Sequence, residues 1–193
     1  GKFLLKLGVA DVIMVDKCGI LARGEDYQNQ AHAQIAQITN KNNLKGSLAD
    51  AMKGADVFVG VSVGNLVDEA MVESMAKNAI VFACANPVPE ISPERALKGG
   101  AAVVGTGSSK YPNQINNLLV FPGLFRGALD AKTAKITDQM MMAAAYGIAN
   151  SVADDQLSAT YVLPKAIDRR AHEAVAKAVK EAALSDENFE QRR

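Results

Sequence analysis

The sequence predicts a doubly wound α/β domain on a mostly parallel sheet, followed by a helical tail. Three observations carry this. Short apolar runs alternate with helical stretches through the first 105 residues. Two of those runs, Asp56–Val61 and Ala79–Cys84, are apolar on both faces. That pattern belongs to parallel strands covered by helices on each side. Beyond residue 116 the chain turns to helical composition and carries no further strand signal.

Each element follows from local chemistry. Gly1 to Leu7 reads as the back half of a helix, with Phe3, Leu4 and Leu7 on one stripe, and Gly8 stops it. Val12-Ile13-Met14-Val15 is a short strand that ends at Asp16. A helix followed by a strand with an acidic end is the later part of a dinucleotide-binding βαβ unit. The first strand and its Gly-rich turn are therefore expected upstream of Gly1. The chain reads as a fragment of a Rossmann-like fold that starts inside the first helix.

A helix is expected over 26–39, with Ala31, Ile35 and Ile38 on one side. Ser47 caps a short helix over 48–53, which ends at Gly54. The second strand, 56–61, leads to a helix over 66–76, and the third strand is 79–84. Ser92 caps a helix over 93–98, with Pro93 at its first position. The fourth strand is 101–105. In the tail, a helix over 116–130 is expected to break at Pro122 and Gly123. Thr137 starts another that runs to Ala149, and Met140-Met141-Met142 within it reads as core filler. An Ala/Lys/Glu-rich helix spans 166–183, and the charged end, 185–193, is expected to fray. The whole chain, 1–193, reads as one partial dinucleotide-binding domain.

Composition narrows the partners. Lys plus Arg equals Asp plus Glu at 21 each, without the basic excess that a nucleic-acid surface needs. No apolar run approaches membrane-spanning length, so no membrane partner is expected. Cys18 and Cys84 are far apart, with no CxxC spacing, and suit a reducing, cytoplasmic compartment. With His32 and His172, both read as surface residues, they do not make a zinc set.

In open parallel sheets ligands bind beyond the carboxyl ends of the strands. The residues there are Asp16-Lys17, Ser62-Val63-Gly64-Asn65, Ala85-Asn86-Pro87 and Thr106-Gly107-Ser108-Ser109. Asp16 can accept hydrogen bonds from both hydroxyls of an adenine ribose and would repel a 2′-phosphate. Lys17 partly offsets that repulsion, so NAD is favoured over NADP without excluding it. A strand-end Asp can also simply cap a turn. Ser62 and Val63 open a small-residue loop that lets a flat cofactor approach, or that merely turns the chain. Pro87 and Pro89 stiffen the loop that carries Asn86. Gly107 is expected to allow backbone conformations closed to other residues. Asn116 and Asn117 precede an apolar run. Such amides hold carboxylates and carboxamides, yet Asn in this place also caps helices. No nucleophile–base arrangement and no carboxylate cluster with metal spacing stands out. No catalytic residue and no metal ligand is assigned within this chain.

The strings VIMVDKCGIL, SLADAMKGADVFVGVS, VFACANPVPEISPE and GTGSSKYPNQINNLLVFPGLFRGALDA resemble malic enzyme, in particular the compact bacterial type. The resemblance runs from near Gly1 to about Ala183. It implies oxidative decarboxylation of malate to pyruvate and carbon dioxide with NAD or NADP and a divalent cation, Mg²⁺ or Mn²⁺. It also implies a homo-oligomer, a dimer, for the intact enzyme. By motif, Asn86 and Asn117 resemble amides that face malate and nicotinamide, and Asn116 a cofactor contact beside them. Asp16 matches the ribose-binding acid, while Ser62, Val63 and Gly107 match cofactor-lining positions. The family's acid and base, metal carboxylates and phosphate-binding glycines belong to an earlier region, so this fragment alone is expected to be inactive. Two alternatives stand beside this reading. One is a non-catalytic Rossmann-like module. The other is the cofactor domain of a different hydroxy- or amino-acid dehydrogenase, which the ANPVPE and NQINN strings disfavour.

Overall fold

The computed structural model describes residues 1–185. Ser185 closes the last helix, and the rest of the expected frayed end, 186–193, lies outside the described residues. In chain order the elements are α1 (Lys2–Lys6), β1 (Val15–Asp16), β2 (Gly19–Ile20), α2 (Gln30–Ala36) and α3 (Leu48–Met52). Then come β3 (Val57–Gly60), α4 (Glu69–Glu73), β4 (Ile80–Ala83), α5 (Pro93–Lys98) and β5 (Val103–Thr106). A 3-10 turn (Asn117–Leu119) leads into α6 (Phe121–Asp130), α7 (Asp138–Ala149) and α8 (Arg169–Ser185).

Strands β3, β4 and β5 form a parallel sheet in that order, with Gly60, Ala83 and Thr106 in register at its carboxyl edge. The parallel α/β architecture is the expected one. Its helices start where the sequence provides caps. Ser47 and Asp50 form a capping box at α3, Asp68 caps α4 and Ser92 caps α5. Thr137 does the same for α7.

One core joins Phe58, Val81 and Val104 of the sheet to Met52, Val72 and Ala96 from α3, α4 and α5. Burying side chains of this size contributes about 1.5–3 kcal/mol each. A second core joins Leu124 and Ala128 of α6, Met140 and Ile148 of α7, and Val175 and Val179 of α8. Asn113 ties the region leading into α8 to the sheet. Its Nδ2 donates to the Val104 and Ala159 carbonyls, and its Oδ1 accepts from Val162 N–H.

Four expectations need correction. The strand at 12–16 does not join the parallel sheet. Only Val15–Asp16 forms a strand, pairing antiparallel with Gly19–Ile20. The carbonyls of Val12 and Met14 are taken instead by the amides of Asn40 and Leu21. The β3 strand is covered on one face only, because α3, α4 and α5 share the Phe58 side; Val57 and Val59 on the other remain 48% and 50% exposed. The helix near residue 30 is shorter than expected. Asn29 caps it, Ala36 is its buried residue, and Ile38 is exposed. Pro122 and Gly123 do not break the following helix. Pro122 lies in the first turn of α6, where its missing N–H goes unneeded. Gly123 makes room for α8, since a Cβ there would stand 2.6 Å from Val175 Cβ.

Among the described residues no helix is long and apolar enough to cross a membrane.

Candidate functional site

The strand register brings three loops to one edge. Ser62–Asn65 follows β3, Ala85–Glu90 follows β4 and Gly107–Ser109 follows β5. Ser62, Val63 and Asn86 are exposed there. The Asn86–Pro87 peptide is cis.

The Asn86 amide lies against Gly107, and a Cβ on Gly107 would stand 2.9 Å from Asn86 Nδ2 and 3.4 Å from its Oδ1. Gly107 is not among the residues with positive φ. Contrary to the expectation from sequence, space rather than backbone conformation calls for glycine at this position.

Glu90 knits two of these loops together. It is fully buried. Its Oε1 accepts from Ser62 N–H at 2.8 Å, and its Oε2 accepts from Ala85 N–H at 3.0 Å. The Asn65 amide donates to the Pro89 carbonyl and the Val67 amide to the Glu90 carbonyl, fastening the same loops along their length. Among the described residues the Glu90 carboxylate has no cationic partner. Burial, and then the charge of Glu90, push the neighbouring Cys84 thiol upward. Sequence reading passed over Glu90 as the end of a Pro-stiffened loop. Gly60 was the available signal, because a glycine inside an apolar strand marks a close approach. A Cβ on Gly60 would stand 2.5 Å from Glu90 Oε1.

Asn116 and Asn117 separate in role. Asn116 Oδ1 accepts from Leu118 N–H at 2.9 Å and so caps the 3-10 turn. Asn117 is the first residue of that turn and is exposed. The segment returns to the sheet edge where Ile115 N–H donates to the Thr106 carbonyl.

Asp16 lies on the β1–β2 ribbon, which is not part of the parallel sheet. Its Oδ1 accepts from Cys18 N–H at 2.7 Å, closing a tight turn that leaves Lys17 exposed. Its Oδ2 lies 3.2 Å from His32 Nδ1. His32 is therefore not an isolated surface residue, since the first turns of α2 bring it back over the strand end. His172, too, is engaged: its Nε2 lies 3.0 Å from the carbonyl oxygen of Ala166, in the segment that leads into α8.

Residues 7–184 match the family described as malic enzyme, NAD binding domain. The chain is 49% identical to the bifunctional malic/malolactic enzyme of Bacillus subtilis, over 95% of this chain and 45% of that protein. It is also 49% identical to the NAD-dependent malic enzyme of Geobacillus stearothermophilus, over 94% of this chain and 38% of the relative. The crystal structure of the NAD-dependent malic enzyme from Thermotoga maritima superposes with a TM-score of 0.87 at 44% identity, covering 93% of this chain and 47% of that one. The chain thus spans less than half the length of these relatives. It belongs to the malic enzyme family, as the NAD-binding domain.

Proposed function

We propose that this chain is the cofactor-binding part of an enzyme that oxidatively decarboxylates malate to pyruvate and carbon dioxide, using NAD in preference to NADP. Membership of the family is the ground. The observation that carries the reading onto this chain is the sheet edge, where Ser62–Val63, Asn86 and Gly107 converge. The edge fits a flat cofactor. Its exposed residues at 62–64 are small or short, and the Asn86 amide fills the space that a side chain at 107 would occupy. When bound, NAD supplies the hydride acceptor.

The chain's own residues bind and orient. Asp16 accepts from the ribose hydroxyls, with Lys17 beside it. Ser62, Val63 and Gly107 line the cofactor, and Asn116 contacts it from the turn it caps. Asn86 and Asn117 donate to the malate carboxylate or the nicotinamide carboxamide without adding charge. The family's divalent cation, Mg²⁺ or Mn²⁺, does not fit here. Among the described residues no group of three or more His, Cys, Asp or Glu is placed to hold it, and no step through it is assigned to this chain. The reading includes an intact enzyme that works as a homo-oligomer, a dimer, in the cytoplasm. Two free cysteines, Cys18 and Cys84, suit that compartment.

The test is pyruvate formation from malate with Mn²⁺ and either cofactor. The full-length protein is expected to turn over and the 193-residue chain alone to be inactive. Absence of turnover by the full-length protein overturns the reading. Robust turnover by the chain alone overturns the claim that the acid–base and metal groups lie elsewhere.

A further inference from the structure

Among the described residues Glu90 is the one buried carboxylate, and it sits at the carboxyl edge of the sheet with no part in the reaction assigned to it. We infer that Glu90 is a positioning residue that sets the spacing between the Ser62–Val63 loop and Asn86. The inference rests on the function proposed for this edge.

The geometry explains why a carboxylate is needed. The last bond between β3 and β4 at this edge runs from Cys84 N–H to the Gly60 carbonyl at 3.0 Å. Past it the amides of Ser62 and Ala85 make no main-chain hydrogen bond. Glu90 reaches back between the loops and gives each amide one oxygen. It therefore acts as one more rung of the ladder, built from a side chain. A carboxylate accepts at both oxygens, whereas a carboxamide accepts at one and presents N–H to the other amide. Ala85 immediately precedes Asn86, so the carboxylate fixes the base of the strand-end amide. Ser62 opens the cofactor-lining loop. Moving one oxygen moves one loop relative to the other.

The site extends into β3. A Cβ on Gly60 would stand 2.5 Å from Glu90 Oε1 and 2.8 Å from Oε2. The carboxylate thus occupies the space of a side chain at 60, and any side chain there must displace it. The two residues form one device, and their effects on the loops should not add.

The experiment uses the full-length enzyme and three variants: Glu90→Gln, Gly60→Ala and the double variant. Melting temperature and steady-state constants for NAD and malate are measured well below the melting range. Glu90→Gln is expected to raise KM for NAD and lower kcat, with about a 10- to 100-fold loss in kcat/KM. Gly60→Ala is expected to act in the same direction, and the double variant to lose little beyond the worse single one. A residue that only stabilises the fold would lower the melting temperature and leave both constants at their wild-type values. That result in a folded variant overturns the inference, as do fully additive losses. If one variant fails to fold, the kinetics of the other decide. If neither folds, Glu90 belongs to folding rather than positioning, and the inference is likewise overturned. Wild-type turnover of malate is the control. Without it the proposed function fails; with it and unchanged variants, only the role of Glu90 fails.

Discussion

The Asn86 amide and Gly107 are in such close approach that a Cβ at 107 would stand 2.9 Å from Asn86 Nδ2. The amide is the free end of an exposed side chain, so Gly107→Ala displaces it without disturbing the core. A misplacement on the order of 1 Å at a reacting group costs roughly 100-fold in rate. Gly107→Ala in the full-length enzyme is expected to lower kcat/KM for malate by about 10- to 100-fold on that scale. Its melting temperature is expected to shift by less than about 2 °C. Wild-type kinetics in this variant would remove Asn86 from the site.

Much of the fold was legible because caps and glycines are local signals. Ser47, Ser92 and Thr137 each cap the helix their sequence context announces. The parallel strands were legible from their continuous apolar runs. What was not legible depends on contacts distant in sequence. Nothing in Val12–Val15 tells whether its neighbour will be a sheet strand or Asn40 and Leu21. The partnership of Asp16 with His32 spans a hairpin and a helix start, and hydropathy does not encode it. Glu90 was hidden for a related reason, since a buried acid looks polar in sequence and its partners are main-chain amides. Asn116 and Asn117 look equivalent in sequence, and only the turn geometry tells the cap from its exposed neighbour.

The ion pair between α4 and α5 predicts an acid-dependent stability. Arg95 Nε and Nη2 donate to the two oxygens of Glu69 at 2.9 and 2.6 Å. This hydrogen bonding, the first cause, holds the Glu69 carboxyl down to about 2. A folded-state value below the unfolded one stabilises the fold above the ordinary Glu range near 4.5, and the contribution is lost as pH falls toward about 2. Both side chains are partly exposed, so the effect is modest and weakens with salt. Melting temperature measured from pH 6 to pH 2 is expected to fall less steeply for Glu69→Gln than for wild type. Parallel curves would show that the pair contributes nothing to stability.

Asp16 tests cofactor choice. Its Oδ1 already accepts from Cys18 N–H and its Oδ2 faces His32, yet a carboxylate oxygen has more than one lone pair with which to meet ribose hydroxyls. On the proposed function, Asp16→Ser removes the charge that would repel a 2′-phosphate. It is expected to weaken NAD use by roughly 10- to 150-fold on the scale of hydrogen bonds to charged groups, and to improve NADP relative to NAD. Kinetics of the full-length enzyme with both cofactors decide. A wild-type enzyme that strongly prefers NADP would show that Lys17 dominates the local field.

Asn116 and Asn117 differ in what their substitution costs the fold. Asn116 carries the cap, since its Oδ1 accepts from Leu118 N–H. Asn116→Ala is expected to cost about 1 kcal/mol of stability, which lowers the melting temperature by roughly 2–4 °C. Asn117 follows the cap and is exposed, so its side chain is available to a ligand. On the proposed function, Asn117→Ala removes a donor to a malate carboxylate. Hydrogen bonds to charged groups contribute about 1.5–3 kcal/mol, so kcat/KM for malate is expected to fall roughly 10- to 150-fold with the melting temperature nearly unchanged. Both variants are measured in the full-length enzyme by the same two methods. If Asn117→Ala destabilises the protein and leaves malate kinetics normal, the adjacent amides share the capping role, and substrate recognition at this turn must come from another residue.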